Sequence, residues 1–277
     1  MNPSIRSAGL FLLGLLWVAG LRADELSVQW IPQARMEYEG VGYREVPHGW
    51  ELKVKPWTPA AGLRWRTELT RDLGFQMQYW INRPTYAAEF GNSQSATQQQ
   101  TGQMELSLQS LWIDLRRPLA GSPVEVVFGL NGAHHQIRQK DVSLDGIPEP
   151  GSSHETQMAL GGHLGFHGKG QGRPMGRGPA LFWDGEILLG RYFWTDNRLD
   201  TDGGSVHQGG YTYALRLEGG VAWPRWRVSV GYARQLYEIF VPGGRRFTAG
   251  ASPSATASLP INKIDLFGPF LAVGWTY

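Results

Sequence analysis

The 277-residue sequence contains no cysteine, which removes disulfide scaffolds and cysteine-ligated metal sites. Charged residues make up only 18% and nearly cancel, to a formal +2, so there is no basic surplus of the kind a nucleic-acid partner requires. Beyond residue 23 no apolar run approaches the ~20 residues of a spanning helix. Any membrane crossing must therefore use a closed sheet, because an open sheet leaves backbone groups unsatisfied in lipid. Phosphate-binding loops, nucleophile elbows and HExxH spacings are missing too, so motifs assign no catalytic residue, no metal ligand and no cofactor. The glycines of Gly168 to Pro179 have G-x-G spacing without a βαβ context and read as a flexible basic turn.

What is present begins with Arg6, the apolar run Gly9 to Gly20, and Leu21-Arg22-Ala23 before the acidic Asp24-Glu25. This is the n-region, h-region and small-residue cleavage site of a secretory signal. Cleavage is expected after Ala23, leaving residues 24–277 as one domain. The alternative, an uncleaved anchor, meets Arg22, which ends the run well short of a span.

From Ala34 onward, alternating apolar and polar residues recur between stretches rich in Gly, Pro, Asp, Asn and Ser. The separators alternate in length. Arg71–Gly74, Arg117–Pro123 and Pro224-Arg225 are short, with Gly168–Pro179 a long exception; Pro47–Trp57, Gly91–Gly102, Gln139–Ser153, Thr195–His207 and Pro242–Ile261 are long. The long segments are polar and rich in small residues, a composition that cannot bury a core. The pattern predicts an all-β fold: a single antiparallel up-and-down transmembrane β-barrel of about ten strands, with eight as the fallback. Strands are expected near 34–46, 58–71, 74–90, 103–117, 123–138, 154–167, 179–194, 208–223, 226–241 and 262–277. A soluble β-sandwich is the competing architecture, and it explains neither the loop asymmetry nor the aromatic last strand.

Parity assigns the faces. In the eighth strand Tyr211, Tyr213, Leu215, Leu217, Val221 and Trp223 share one side, and Thr212, Ala214, Arg216, Glu218 and Ala222 the other. An arginine facing lipid at mid-membrane costs ~2–4 kcal/mol, so the Arg216 row must face the lumen. The same rule makes Arg64, Arg66, Glu68, Gln76, Gln78, Glu105, Glu125, Asp184, Glu186, Arg216, Glu218 and Arg227 lumen-lining, with His163 and His167 on the inward parity. In the fourth strand the apolar row passes from Met104, Leu106 and Leu108 to Leu111, Ile113 and Leu115, which predicts a bulge near Ser110. Arg191 and Arg234 fall on outward positions toward the long-loop end, where the cost drops to ~0–1 kcal/mol.

The chain ends Leu266 to Tyr277, with Phe267, Pro269, Leu271, Val273, Trp275 and Tyr277 on one row and Gly268, Ala272, Gly274 and Thr276 on the other. Trp223 and Trp226 flank the turn on the same side, an aromatic girdle of the kind that interfaces favour. Pro269 lacks a ladder donor, so an irregularity is expected there. This terminal strand resembles the C-terminal signal of bacterial outer-membrane β-barrels. The resemblance implies an outer-membrane location with both termini in the periplasm, contact with outer-membrane lipid and lipopolysaccharide, and recognition by the barrel assembly machinery through the strand ending at Tyr277. It gives no nucleic-acid partner.

For function, mixed charges inside a narrow barrel are most simply a salt-bridged plug, since about eight strands leave an interior just filled by side chains. A narrow solute path and a catalytic carboxylate pair are the alternatives. His48, His134, His135, His154 and His207 fall near the long-loop rim, with Asp141, Asp196, Asp200 and Asp202 nearby in sequence. Such groups suit metal binding or general base work, although exposed rim histidines have the same appearance. The ten-strand count is similar to that of the omptin outer-membrane proteases, which use aspartates and a histidine at the barrel top; no matching motif is present. The reading is a structural, adhesive or narrow-channel barrel without an identifiable catalytic motif, and the alternative is a rim hydrolase that uses the His and Asp groups of the long-loop end.

Overall fold

The computed structural model describes residues 24–41, 51–54, 57–82, 85–90, 100–144, 146–148, 154–172, 178–199, 205–206, 209–240, 247–248, 256–257 and 261–276. Residues 1–23, His48, His207, Tyr277, Asp200, Asp202 and most of the long loops lie outside them. Ten long strands account for the alternating segments. They are β1 (Glu25–Val41), β2 (Trp57–Thr70), β3 (Leu73–Asn82, continued by Thr85–Phe90), β4 (Gln100–Pro118), β5 (Val124–Leu144), β6 (His154–Gln171), β7 (Ala180–Leu199), β8 (Gly209–Ala222), β9 (Trp226–Phe240) and β10 (Ile261–Thr276). Each pairs antiparallel with its sequence neighbours. Pairing of β1 with β10, from Glu25 opposite Thr276 to Val41 opposite Ile261, closes the sheet on itself. The result is a ten-strand antiparallel β-barrel, with no helix among the described residues.

Short connections gather at one end, here the turn end, with Glu25 and Thr276. The opposite, loop end carries the short added pairings of Glu51–Val54, Ile147–Pro148 and Ser205–Val206. A tilted transmembrane strand needs ~9–11 residues, whereas β5 has 21 and β7 has 20.

Three details depart from the sequence expectation or refine it. Strand β1 starts at Glu25 rather than Ala34, because Glu25, Ser27 and Gln29 are buried while Val28 and Trp30 are exposed. That alternation ends at Ile31-Pro32-Gln33-Ala34, where pairing slips with both neighbours, so a pattern search beginning at Ala34 sees only the upper half. No bulge occurs near Ser110. The ladders of β4 run unbroken from Leu108 to Arg116 on one side and from Gln103 to Pro118 on the other, so Leu108 turns inward and is 0% exposed. The irregularity expected at Pro269 lies in the β1–β10 ladder, which skips from Trp30–Leu271 to Arg35–Phe267.

Candidate functional site in the barrel interior

Inward positions of neighbouring strands come level with one another, and their side chains sort into two tiers. The lower tier, toward the turn end, is ionic. Arg64 of β2 is 0% exposed and donates to Glu218 of β8 at 2.9 Å and to Glu25 of β1 at 3.2 Å. Arg66 donates to both oxygens of Asp184, at 2.5 and 3.1 Å, and its Nε donates to Gln76 Oε1 at 2.8 Å. Asp184 also accepts from Arg216 at 2.5 Å. Arg227 bridges Glu25 at 2.6 Å and Glu218. On the other side of the lumen Arg116 pairs with Glu186 at 2.9 Å and touches Gln76.

Gln76 ties these halves together, because its Nε2 donates to Asp114 at 2.7 Å and to Glu186 at 3.1 Å. His163 Nε2 lies 2.7 Å from Asp114, and His167 contacts Glu125 at 2.8 Å and Asp184 at 3.2 Å. Charges removed from water are tolerated only when partners replace the lost hydration. Here Glu25, Asp184, Glu186 and Glu218 each accept from at least two donors of the lattice, so the tier neutralises itself.

The upper tier is aromatic and aliphatic. Trp80, Trp112, Tyr192, Tyr237 and Phe270 are each 2% exposed or less, packed with Leu108, Leu188, Ile31 and Leu266. Trp80 lies so close over Gly62 that a Cβ there would sit 2.9 Å from the indole, which is why the position carries no side chain. Trp112 joins the tiers, its ring 4.9 Å from that of His163. Tyr237 donates to Gln235 at 2.7 Å, as does Ser110 at 3.0 Å, and the His135 ring stacks edgewise on Tyr237 at 5.3 Å.

Of the residues read from sequence as lumen-lining, Arg64, Arg66, Gln76, Glu125, Asp184, Glu186, Arg216, Glu218 and Arg227 meet in the lower tier. Gln78 is buried just above it, donating to Gln29 at 3.4 Å. Two stand apart. Glu68 is exposed at the turn-end rim, where its backbone N–H donates to Asp24 at 2.6 Å. Glu105 shares the register row of Gln109 and Ile113 and lies 3.8 Å from Arg138, with both side chains partly exposed. That placement follows directly from the missing bulge.

Sequence reasoning overlooked Glu25, Asp114 and Arg116, and the whole upper tier. The signal was available, since Trp80 shares parity with Gln76 and Tyr192 with Asp184. It was hidden by the assumption that a lumen is polar throughout.

The rim histidines do not converge among the described residues. His134 and His135 are consecutive in β5, so they face opposite sides of the wall, and His135 is buried. The side chains of His154 and Asp141 lie outside the described residues. No group of three or more His, Asp or Glu among the described residues is arranged to hold a metal ion.

A cavity of about 700 Å³ opens at the turn end over the lower tier, with Arg66, Arg116 and Asp184 in its lining and Phe182, Trp223 and Trp226 around it. Arg227 lies over Phe182 at 4.4 Å. Arg66, Arg116, Lys169 and Arg227 of this lining pair with its Glu25, Glu125 and Asp184.

No protein-family model and no curated protein matches the chain. Solved structures do. The outer membrane protease OmpT from Escherichia coli superposes with a TM-score of 0.59 at 9% identity, covering 91% of this chain and 96% of that one. The translocator domain of the autotransporter NalP from Neisseria meningitidis gives 0.36 at 11% identity, covering 99% and 98%. The toluene transporter TodX from P. putida gives 0.33 at 10%, covering 94% and 92%. At such identity the likeness to OmpT is one of fold, that of an outer-membrane β-barrel. The other two superpositions are too loose to support any argument.

Proposed function

We propose that this chain is an outer-membrane β-barrel with a filled interior, a non-conducting scaffold that holds its long loops at one surface. The observation that carries the reading is the double closure of the lumen, by a self-neutralising ionic lattice below and a layer of buried rings above. Water-filled pores belong to much wider barrels, and a small barrel is filled by its own side chains. The outward rows support membrane insertion. Val28, Leu130, Leu164, Leu181, Leu189, Val230, Leu271 and Val273 are exposed, a set of aliphatic groups that water would not tolerate together. Trp183, Trp223, Trp226 and Trp275 cluster toward the turn end, with Trp226 and Trp275 in ring contact at 3.9 Å, as amphipathic rings do at an interface.

In this reading the turn end and both termini face the periplasm, the loops face outward, residues 1–23 are an export signal, and the strand ending at Tyr277 is what the assembly machinery recognises. Outer-membrane lipid and lipopolysaccharide surround the wall. Planar-bilayer recording of the purified chain tests the closed lumen: no steady conductance is expected, and a reproducible unitary current would replace the scaffold with a narrow solute channel. Heat-dependent gel mobility tests the barrel in the membrane, and a soluble chain without that shift would end the reading.

A further inference from the structure

Arg191 and Arg234 both stand on outward rows of the wall, and the fold treats them differently. Arg234 of β9 is held by Asp265 of β10: Nε donates to Oδ1 at 3.0 Å and a terminal nitrogen to Oδ2 at 2.5 Å. Its guanidinium lies 5.7 Å from the Phe267 ring centroid, and Asp265 is only 2% exposed. That charge is cancelled within the wall. Arg191 of β7 is exposed and has no carboxylate partner among the described residues.

The surroundings of Arg191 are apolar along its own strand, where Leu189 and Phe193 are 62% and 64% exposed. Across the sheet it is level with Tyr211 of β8 on one side and Gly162 of β6 on the other. Gly162 offers no side chain, and a Cβ there would meet nothing nearer than the Gly129 carbonyl oxygen at 3.7 Å. A shallow notch therefore lies beside the guanidinium, between the exposed Leu160 and Leu164. Counting up the tilted strand from Ala180 sets Arg191 ~27 Å above the turn end, at the upper edge of an apolar band ~25 Å tall. This is the depth of lipid headgroups. An exposed cation ringed by apolar groups at that depth needs an anion from outside the chain, and the planar fork of a guanidinium matches a phosphate in two-point contact.

We propose that Arg191, flanked by the Tyr211 ring and the Gly162 notch, binds the phosphate of an anionic membrane lipid whose acyl chains lie against Leu164 and Leu189. The inference rests on the reading of the chain as a membrane barrel.

Native mass spectrometry of the whole protein, released from detergent after titration with phosphatidylglycerol, diphosphorylated lipid A or phosphatidylcholine, tests it. The wild type is expected to retain one of the two anionic lipids and not phosphatidylcholine. Whichever of the two is held identifies the source of the phosphate. Arg191→Gln lowers that retention about tenfold, the loss of one charge-assisted contact. Arg191→Lys, which keeps the charge but not the fork, falls between, and Arg225→Gln at an exposed turn leaves retention unchanged. Equal retention by Arg191→Gln and the wild type, or equal retention of phosphatidylcholine, overturns the proposal. Heat-dependent gel mobility of each variant is read in parallel. Its persistence with lost retention isolates the site, whereas its absence in the wild type fells the membrane reading itself.

Discussion

Asp184 shows how the lower tier depends on single groups. It accepts from Arg66 and Arg216 and contacts His167, all within the closed interior. Asp184→Asn keeps the shape but leaves two buried guanidinium groups short of a counter-charge, a change that costs ~3–5 kcal/mol when one partner of a buried pair is lost. Urea unfolding in vesicles, followed by gel mobility, is expected to show that loss. Glu105→Gln, which removes the 3.8 Å pair with the half-exposed Arg138, is expected to cost less than ~1 kcal/mol. Equal effects would mean that the ionic lattice contributes no more than a surface pair. On the outer wall, Trp183 lies across Gly170, where an added Cβ would come within 2.2 Å of the indole nitrogen. Gly170→Ala is expected to push the ring off the wall while sparing the fold, read as a shift in tryptophan emission with unchanged heat-dependent mobility.

At the level of the strand, register decides what each side chain meets. Leu108 and Leu111 are three residues apart in β4 yet face opposite sides, one against the ring layer and the other outward. Leu108→Ala is expected to cost ~2–5 kcal/mol, the range for emptying a packed core site, while Leu111→Ala costs clearly less. A bulge at Ser110 would set both leucines on the outward row and make the two losses alike. Alternation made most of the wall legible in the sequence, because inward polar and outward apolar residues alternate along most of its strands. It misled at Leu108 because an inward leucine against Trp112 obeys a packing rule instead, and two apolar residues on opposite rows then look like a phase change. It failed at residues 25–33 because Pro32 and the slipped pairing hide the continuity of β1. The same break gives a further expectation. Pro32 and Pro269 both lack a donor, and the β1–β10 ladder skips between Trp30 and Arg35, so amides flanking this gap should exchange with solvent fastest among the barrel strands. Slower exchange there than in the unbroken β5–β6 ladder would show the seam to be fully bonded.

The whole molecule is a closed wall around a filled lumen, and the two tiers fill it by different physics. The ionic tier was legible from the charges on inward positions, although its partners were not, since which arginine meets which carboxylate depends on shear between strands. The aromatic tier has no polar signature and emerges only once the strands curl and bring Trp80, Trp112, Tyr192, Tyr237 and Phe270 into one layer. Its contribution to closure can be separated from that of the charges. Trp80→Ala with Trp112→Ala removes two of the largest buried side chains, and close-packed interiors relax only partly around such losses. The double variant is expected to keep heat-dependent mobility at reduced stability, while the lattice of Arg64, Asp184, Arg216 and Glu218 still blocks ions. Adding Asp184→Asn then breaks the second barrier, and intermittent conductance should appear only in this triple variant. Steady current in the tryptophan double variant alone would assign the whole seal to the rings and leave the ionic tier a stabilising role only.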